Sequence, residues 1–369
     1  MTKKTINRRE LFTAAAKTSL AIGAVAATPE MFSRSARGES IVKSPIVIGS
    51  GDYQYEVTHQ FPQLPSDFTW QTTHNVAVDH EDNLYVIHEG HEDKPEHPAI
   101  FVFDSTGKYI RSFGSQFQGG GHGIEVRHEG NEEFLYVTGY QQVKMIAKLT
   151  LRGEVVWERR APKESGVYHP DETANPTKVW GLDRFMPTNF AFLDNGGFLL
   201  ADGYGSFKIH QYDKDANWVS CFGGAGEGKG TFNLPHGLWI DKRDPSAAEI
   251  IVTDRSHNTL QRLTMDGQYI DTLPGFGMPA NIDIQGDLML VPELVARLSI
   301  LGKDNQIVAQ LGDDIARVSA EKGNVIRNDP SLWQDGKFVH PHDACFDSAG
   351  NIYVAEWVQT GRISKLRKV

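Results

Sequence analysis

The sequence of 369 residues has little cysteine, a deficit of basic side chains and few long apolar runs. Its two cysteines, Cys221 and Cys345, fall on opposite sides of the ring that the repeats below predict, so we expect no disulfide. The formal net charge of -10 makes the chain a poor match for nucleic acid or an anionic membrane surface. Beyond the N-terminal segment no stretch is apolar enough to span a membrane, which excludes stable membrane insertion of the remaining chain.

The N-terminal segment has the order of charged and apolar residues that is typical of an export signal. Paired arginines, Arg8 and Arg9, precede a weakly apolar run from Thr13 to Ala27 that Lys17 interrupts. This order resembles a twin-arginine signal peptide. The alternative, an amphipathic helix or a membrane anchor, fits less well because a spanning helix needs about 18 or more apolar residues.

The signal sets the predicted domain boundaries. Residues 1–36 are predicted to be a signal peptide, with candidate cut sites after Ala26 and Ala36, and residues 37–52 a linker. The mature protein is then expected to be periplasmic or extracellular.

The rest of the chain, residues 53–369, repeats one pattern, in which a polar residue precedes a short strand, a tight turn and a second strand. The period is roughly 45 to 50 residues with two insertions, inside the range of β-propellers. The six copies predict an all-β, six-bladed propeller, and their equivalent positions are Val76, Ile124, Phe190, Leu238, Ile282 and Ala344.

Each repeat is predicted to form a four-stranded sheet. In the fourth repeat the strands are expected at Gly237–Asp241, Glu249–Thr253, Thr259–Met265 and Tyr269–Leu273. Such a sheet cannot bury both faces alone, so neighbouring sheets must pack against one another around a central tunnel. The sixth repeat ends after three strands, and we expect Tyr53–Phe61 to supply its fourth and close the ring.

Histidines recur at one position, just before the first strand of a repeat. His122, His236 and His342 occupy it in repeats two, four and six. Alternate blades of a six-bladed ring are about 120° apart, so these imidazoles can converge on the axis. Three histidines with a vacant fourth position are the arrangement of catalytic zinc. The alternative is a simple turn residue, and His74, at the same position in repeat one, breaks the three-fold pattern.

Loops on the same face offer further candidates. They are Tyr204, Arg255, and the ligand-type residues of segment 88–93, which begins with His88 and Glu89. Two long connections, 160–186 and 313–338, open on this face and could be lids or partner-binding loops. We interpret four recurring acids as structural turn acceptors: Asp202, Asp254, Glu293 and Glu356.

The chain resembles the NHL-repeat propellers and, within them, the peptidyl-α-hydroxyglycine α-amidating lyase domain, from about Tyr53 to Val369. The motifs that carry the resemblance are Leu234-Pro235-His236-Gly237-Leu238, Ala201-Asp202-Gly203-Tyr204, Thr253-Asp254-Arg255 and His340-Pro341-His342-Asp343. It implies zinc on the three alternate-blade histidines. It also implies a structural calcium bound by the Asp343 carboxylate and by the carbonyls of Val76 and Ile124.

The family breaks a carbinolamide into a carboxamide and glyoxylate, which implies catalytic roles for Tyr204 and Arg255. A phenol, with an ordinary pKa of about 10, can act as a base only where a cation stabilises its anion. The chain departs from the family at Glu89, where a second site arginine is expected, and at the extra imidazoles of His74 and His340. One hypothesis is that these three residues form a second metal site or select a cationic or neutral ligand.

The leading prediction is therefore an exported, metal-binding propeller that acts as a carbon–nitrogen lyase, with a small-molecule or peptide ligand on its top face. A non-catalytic NHL propeller that binds a protein or glycan is the first alternative, and it needs no zinc. The second is a lactonase or related hydrolase. That function requires a carboxylate-rich calcium site in the tunnel, for which the sequence offers Asp343 with Asn75, Asn189 and Asn281.

Overall fold

The computed structural model describes residues 44–90, 94, 96–172 and 181–369. The predicted signal peptide, residues 1–36, lies outside the described residues. Residues Pro45–Val369 form one compact unit. Among the described residues, no helix is both long and apolar enough to cross a membrane.

The unit is a six-bladed β-propeller made of six antiparallel sheets. The first blade contains β3 (Thr73–Val78), β4 (Leu84–His88), β5 (Ile100–Phe103) and β6 (Tyr109–Phe113). The second contains β7 (Gly121–Glu129), β8 (Glu132–Gly139), β9 (Met145–Thr150) and β10 (Val155–Arg159), and the third β11 (Asn189–Phe192), β12 (Phe198–Ala201), β13 (Lys208–Tyr212) and β14 (Trp218–Gly223). The fourth contains β15 (Pro235–Asp241), β16 (Glu249–Asp254), β17 (Thr259–Leu263) and β18 (Tyr269–Pro274), and the fifth β19 (Asp283–Gln285), β20 (Leu288–Glu293), β21 (Arg297–Leu301) and β22 (Ile307–Leu311). The four strands expected in the fourth repeat are confirmed to within two residues.

The sixth blade joins the two ends of the described chain. It contains β1 (Ile46–Ser50), β2 (Tyr53–Thr58), β23 (Pro341–Phe346), β24 (Ile352–Glu356) and β25 (Arg362–Lys368), in the order β1-β2-β25-β24-β23. Tyr55 pairs with Lys368 and Thr58 with Lys365, so the N-terminal strand closes the ring as predicted. The segment 37–52, predicted as a linker, includes β1, which adds a fifth strand outside β2.

The apolar core is divided into clusters between neighbouring blades. Between blades one and two, for example, Ile87 and Ile100 pack with Leu135 and Val137, all fully buried. Corresponding clusters lie at the other five blade interfaces, which confirms the expected packing of sheet against sheet. Each fully buried aliphatic or aromatic side chain contributes about 1.5–3 kcal/mol to the stability of the fold. Because such side chains lie at all six interfaces, the closed ring depends on every one of them.

The recurring acids hold the connections between blades. Each accepts a backbone N–H from the segment that leads into the inner strand of its own blade, which confirms that they are structural acceptors. The pairs are Met186 N to Asp202 Oδ1 at 2.7 Å, Asn233 N to Asp254 Oδ1 at 2.8 Å, Val339 N to Glu356 Oε1 at 2.7 Å, and Gly277 N to Glu293 Oε2.

The two long connections pack on the blades beneath them. In the first, Tyr168 donates its hydroxyl to Asp202 Oδ2 at 2.9 Å and lies 2.7 Å from His210 Nε2, while residues 173–180 lie outside the described residues. The second forms α1 (Ile315–Ala320) and α2 (Val325–Asn328). Their apolar side chains pack together with residues of blades five and six. A lid function for either connection stays a prediction. Cys221 and Cys345 are both free.

Candidate metal centre

Four histidines meet at one end of the central tunnel: His74, His122, His236 and His342. Each is at most 1% exposed. The ring centres of neighbouring members are 4.7–5.0 Å apart. The three imidazoles expected from alternate blades therefore converge, and a fourth, from blade one, joins them.

A break in strand pairing explains why these side chains turn towards the axis. In each of the four blades the register between the first and second strands shifts at the histidine, as in a β-bulge. Bulges re-aim side chains and are common beside functional sites. Blade five has the same one-residue offset, since Pro279 bridges Glu293 while Asp283 pairs with Leu290, and the equivalent positions in blades three and five hold Thr188 and Ala280 instead of histidine.

Backbone carbonyls of the odd-numbered blades orient three of the rings. Nδ1 of His122 donates to the Thr188 carbonyl at 3.1 Å, Nδ1 of His236 to the Ala280 carbonyl at 2.7 Å, and Nδ1 of His342 to the His74 carbonyl at 2.9 Å. In the neutral ring this leaves Nε2 as the lone-pair nitrogen. The Nε2 atoms of His122 and His236 lie 3.1 Å apart. Two such acceptors repel each other unless a proton or a cation lies between them.

The environment keeps the imidazoles neutral, which is the form that binds metal. Burial, reinforced by the neighbouring imidazoles and Arg255, holds the pKa values of His122, His236 and His342 well below the ordinary value. Burial also lowers the pKa of His74, and Glu89 opposes that shift.

Two glycines allow the blades to approach closely here. A Cβ on Gly123 would lie 2.2 Å from the Thr188 carbonyl oxygen, and one on Gly237 would lie 2.4 Å from Asn281 Oδ1. Each glycine directly follows a histidine of the cluster. The close approach brings the carbonyls of the next blade within reach of the imidazoles.

A phenol and a guanidinium adjoin the imidazoles. The Tyr204 hydroxyl lies 3.1 Å from His236 Nε2 and accepts a hydrogen bond of 3.0 Å from Arg255 Nη1. Arg255 is 2% exposed, and its Nε and Nη2 have no hydrogen-bond partner among the described residues. Burial lowers the pKa of Arg255, yet a guanidinium stays charged at neutral pH. The site therefore holds a buried cation with two donors available.

Glu89 lies on the other side of the cluster, with two residues that the sequence reasoning missed. Its Oε2 is 3.5 Å from His74 Nε2, and its Oε1 accepts a hydrogen bond from Gln141 Nε2. Gln141 also donates to the Tyr140 hydroxyl at 2.7 Å, and the Tyr140 ring packs 4.8 Å from that of His122. Burial opposes the ionisation of Glu89, but contacts with His74 and Tyr140 hold its pKa below the ordinary value.

A positional signal in the sequence could have found these two residues. Tyr140 and Gln141 follow the second strand of their blade, in the loop equivalent to those that hold Tyr204 and Arg255.

Two predicted additional residues lie outside the four-ring cluster. His88 Nε2 contacts the Pro98 carbonyl at 2.9 Å. His340 Nδ1 donates to the Leu294 carbonyl at 2.7 Å, and its ring packs against Trp357. The other ligand-type residues of segment 88–93, which are His91, Glu92 and Asp93, lie outside the described residues.

The predicted calcium ligands lie deeper along the same strands. Asp343 Oδ2 accepts the backbone N–H of Val76 at 2.9 Å, and its Oδ1 accepts a hydrogen bond from Asn281 at 2.7 Å. Val76 and Ile124 are buried on the inner strands β3 and β7. Asp343, Val76 and Asn281 line a cavity of about 110 Å³.

Two carboxylates that the sequence reasoning missed, Glu125 and Asp283, line the same cavity. Burial and the neighbouring acids raise the pKa values of Glu125 and Asp343, and burial raises the pKa of Asp283 to about 6. Asn281 Oδ1 is buried without a hydrogen-bond partner. Three carboxylates and an unpaired amide oxygen are the oxygen-rich donor set that suits Ca²⁺.

No family model matches the chain. The chain is 27% identical over 281 residues to peptidyl-alpha-hydroxyglycine alpha-amidating lyase 1 of Drosophila melanogaster, covering 71% of this chain and 47% of that protein. It is 24% identical over 218 residues to NHL repeat-containing protein 3 of Homo sapiens, covering 58% and 57%. This propeller is weakly similar to amidating lyases and NHL-repeat proteins. It spans about half the length of these curated relatives.

Solved structures support the fold. Virginiamycin B lyase from Staphylococcus aureus superposes with a TM-score of 0.51 at 12% identity, over 85% of this chain and all of that one. A gluconolactonase from Xanthomonas campestris superposes with a TM-score of 0.50 at 11% identity, over 85% and 89%. At these identities the likeness shows the propeller architecture alone.

Proposed function

We propose that this protein is a metal-dependent lyase that breaks the carbon–nitrogen bond of a carbinolamide, releasing an amide and a glyoxylate-type product. The observation that carries the proposal is the position of Tyr204. Its hydroxyl contacts both an imidazole of the histidine cluster and the buried Arg255. The sequence similarity to an amidating lyase from Drosophila melanogaster supports the same chemistry.

The donor set fits the zinc that the resemblance implies. His122, His236 and His342 are oriented through Nδ1, and Nε2 of His342 is buried without a hydrogen-bond partner. Buried polar atoms normally have partners, so this nitrogen is suited to a metal ligand. A bound zinc ion supplies Lewis acidity towards the substrate hydroxyl.

Tyr204 and Arg255 then carry the proton transfer. The Tyr204 oxygen, as an anion stabilised by Arg255 Nη1, takes the proton from the substrate hydroxyl. The carbon–oxygen bond becomes a carbonyl as the carbon–nitrogen bond breaks, and the proton passes from Tyr204 to the leaving amide nitrogen. The unpaired Nε and Nη2 of Arg255 are available to a substrate carboxylate.

Glu89 narrows the choice of substrate. It occupies the place where the resemblance implies a second arginine, so an anionic substrate group beside it would be repelled. We therefore propose a small-molecule or peptide ligand on this face whose part near Glu89 is neutral or cationic.

Elemental analysis and a product assay test the proposal. Protein purified without added metal is expected to contain one zinc per chain at this site, and a variant with His122, His236 and His342 replaced by alanine is expected to lose it. Release of glyoxylate from a peptidyl α-hydroxyglycine is expected from the wild type and about 10²-fold or more slower from Tyr204→Phe. A folded wild type without zinc would instead favour the non-catalytic binding propeller.

A lactonase-type hydrolase is a second candidate because Glu125 and Asp283 add two carboxylates to Asp343. This function predicts lactone hydrolysis that depends on calcium and survives the triple histidine substitution. Lactone hydrolysis that is lost in the triple variant would contradict it.

We further propose structural calcium in the tunnel and export through the N-terminal signal. Replacing Arg8 and Arg9 by lysine is expected to keep the protein in the cytoplasmic fraction, while the wild type is recovered outside the inner membrane. Equal distribution of both proteins would contradict the export proposal.

A further inference from the structure

His74 shares the structural setting of the three predicted zinc ligands. It lies at a register shift at the top of its inner strand, as they do. Its ring centre is 4.8 Å from that of His122 and 4.7 Å from that of His342. Potential ligand atoms of His74, His122 and His342 all lie within 4.8 Å of one another.

The hydrogen bonding of His74 is unusual for a histidine that only fills space. Buried polar atoms are normally paired, but neither ring nitrogen of His74 has a hydrogen-bond partner in the described structure. A carboxylate oxygen, Glu89 Oε2, lies 3.5 Å from Nε2. Both features are expected if one nitrogen contacts a cation and the other faces a carboxylate.

Glu89 is placed to orient this ring. Histidines that bind metal usually present their other nitrogen to a carboxylate or a backbone carbonyl. The other three histidines use carbonyls of the following blade. His74 has Glu89 instead, and Glu89 is itself held by Gln141.

We propose that His74 is a fourth imidazole ligand of the metal that His122, His236 and His342 hold, and that Glu89 is its positioning residue. The inference rests on the proposed metal site and names its full ligand set. Four ligands around one ion require nitrogen–nitrogen distances of at most about 4.2 Å, twice a metal–nitrogen bond of about 2.1 Å. The ligand atoms of His74, His122 and His342 lie within 4.8 Å of one another, so the widest possible separation would have to close by about 0.6 Å, and His236 Nε2 is already 3.1 Å from His122 Nε2.

The fourth ligand changes how a substrate would reach the metal. Four imidazoles fill the tetrahedral positions of zinc, so a substrate hydroxyl would bind as a fifth ligand, a coordination number that catalytic zinc sites can reach. Ions that use five or six positions, such as Fe²⁺, Mn²⁺ or Co²⁺, fit the same four ligands, so cobalt can report on the ligand set.

Cobalt substitution tests the ligand set without an activity assay. X-ray absorption of the cobalt-loaded wild-type protein is expected to show four imidazoles per ion and a visible spectrum of five- or six-coordinate cobalt. His74→Ala is expected to bind cobalt at least about 10-fold more weakly, with more intense visible bands because the coordination number falls. Glu89→Gln is expected to weaken binding about 10- to 100-fold while keeping the spectrum of the wild type.

The controls separate this inference from the proposed reaction. His59→Gln changes a partly buried histidine that hydrogen-bonds to Ser364 of the sixth blade, away from the cluster. This variant should leave the cobalt affinity and the cobalt spectrum unchanged. Three imidazoles in the wild type, or an unchanged spectrum and affinity in His74→Ala, would overturn the inference. The wild-type measurement decides the matter even if His74→Ala does not fold. Four imidazoles with no glyoxylate release would refute the lyase and leave the ligand set standing, whereas a wild type that binds no cobalt would overturn both.

Discussion

The tunnel carboxylates determine how the calcium-free protein should respond to pH. Asp283 lines the tunnel cavity with Asp343 and Glu125, and its Oδ2 accepts the N–H of Phe346 at 2.7 Å. Burial raises the pKa of Asp283 to about 6, against about 3.9 in an unfolded chain. Since the folded state holds this proton more tightly, the stability contributed by Asp283 is full below pH 3.9 and is lost as the pH rises to about 6.

Asp283→Asn isolates this effect. The amide oxygen can still accept the Phe346 N–H, but the side chain no longer carries a charge at neutral pH. A pKa difference of about two units corresponds to about 3 kcal/mol, at about 1.4 kcal/mol per unit. In calcium-free protein the variant is therefore expected to be more stable than the wild type by about 3 kcal/mol at pH 8, and by about 0.5 kcal/mol at pH 4.

Urea unfolding with calcium chelated, at both pH values, measures the difference. Asp241→Asn is a control of opposite sign. Burial raises the pKa of Asp241, but hydrogen bonds of 2.9 and 2.7 Å from Arg243 hold it below the ordinary value. That variant should therefore lose more stability at pH 8 than at pH 4. A gain for Asp283→Asn that is equal at the two pH values, or absent at pH 8, would refute the reasoning. Added calcium should stabilise the wild type more than Asp283→Asn.

Three further outcomes are expected. Gly123→Ala places a methyl group against a carbonyl oxygen and should lower the free energy of unfolding by about 1–3 kcal/mol, as measured by thermal unfolding. The control is Gly228→Ala, whose new methyl has no atom closer than 3.6 Å and whose stability should stay near that of the wild type. Burial lowers the pKa of His210 to about 3, so the stability that its neutral ring contributes is present above pH 6.5 and is lost on acidification. His210→Gln should remove about 1.6 kcal/mol of the fall in urea-unfolding stability between pH 6.5 and 5, at about 1.4 kcal/mol per unit of pKa. An unchanged fall would contradict this. Loading metal to about 100 times its dissociation constant should stabilise the wild type by about 2.7 kcal/mol in calorimetry, while the triple histidine variant should show no gain.

Local sequence patterns were enough to predict the architecture. Alternating apolar residues and turn signals identify strands from neighbours only a few positions apart. The same pattern, repeated six times, implies a closed ring because single sheets leave apolar faces exposed. The three-stranded last repeat predicted closure by the N-terminal strand, and the pairing of β2 with β25 confirms it. The turn-acceptor role of Asp202 and its equivalents was likewise readable from their fixed position in the repeat.

The candidate site was only partly predictable, because it joins residues that are far apart in the sequence. Glu125 and Asp283 are 158 positions apart in the sequence and share one cavity only once the ring has closed. Tyr140 and Gln141 could have been inferred from repeat position, but their contacts with the cluster and Glu89 depend on the packing of blades one and two.

The sequence by itself determined the six-bladed ring and the alternate-blade positions of His122, His236 and His342. Only the tertiary structure decided that His74 joins them while His340 packs against Trp357. The physical reason is the bulge. A one-residue shift of register turns a side chain to the other face of its strand, so direction depends on pairing with a neighbouring strand rather than on local sequence.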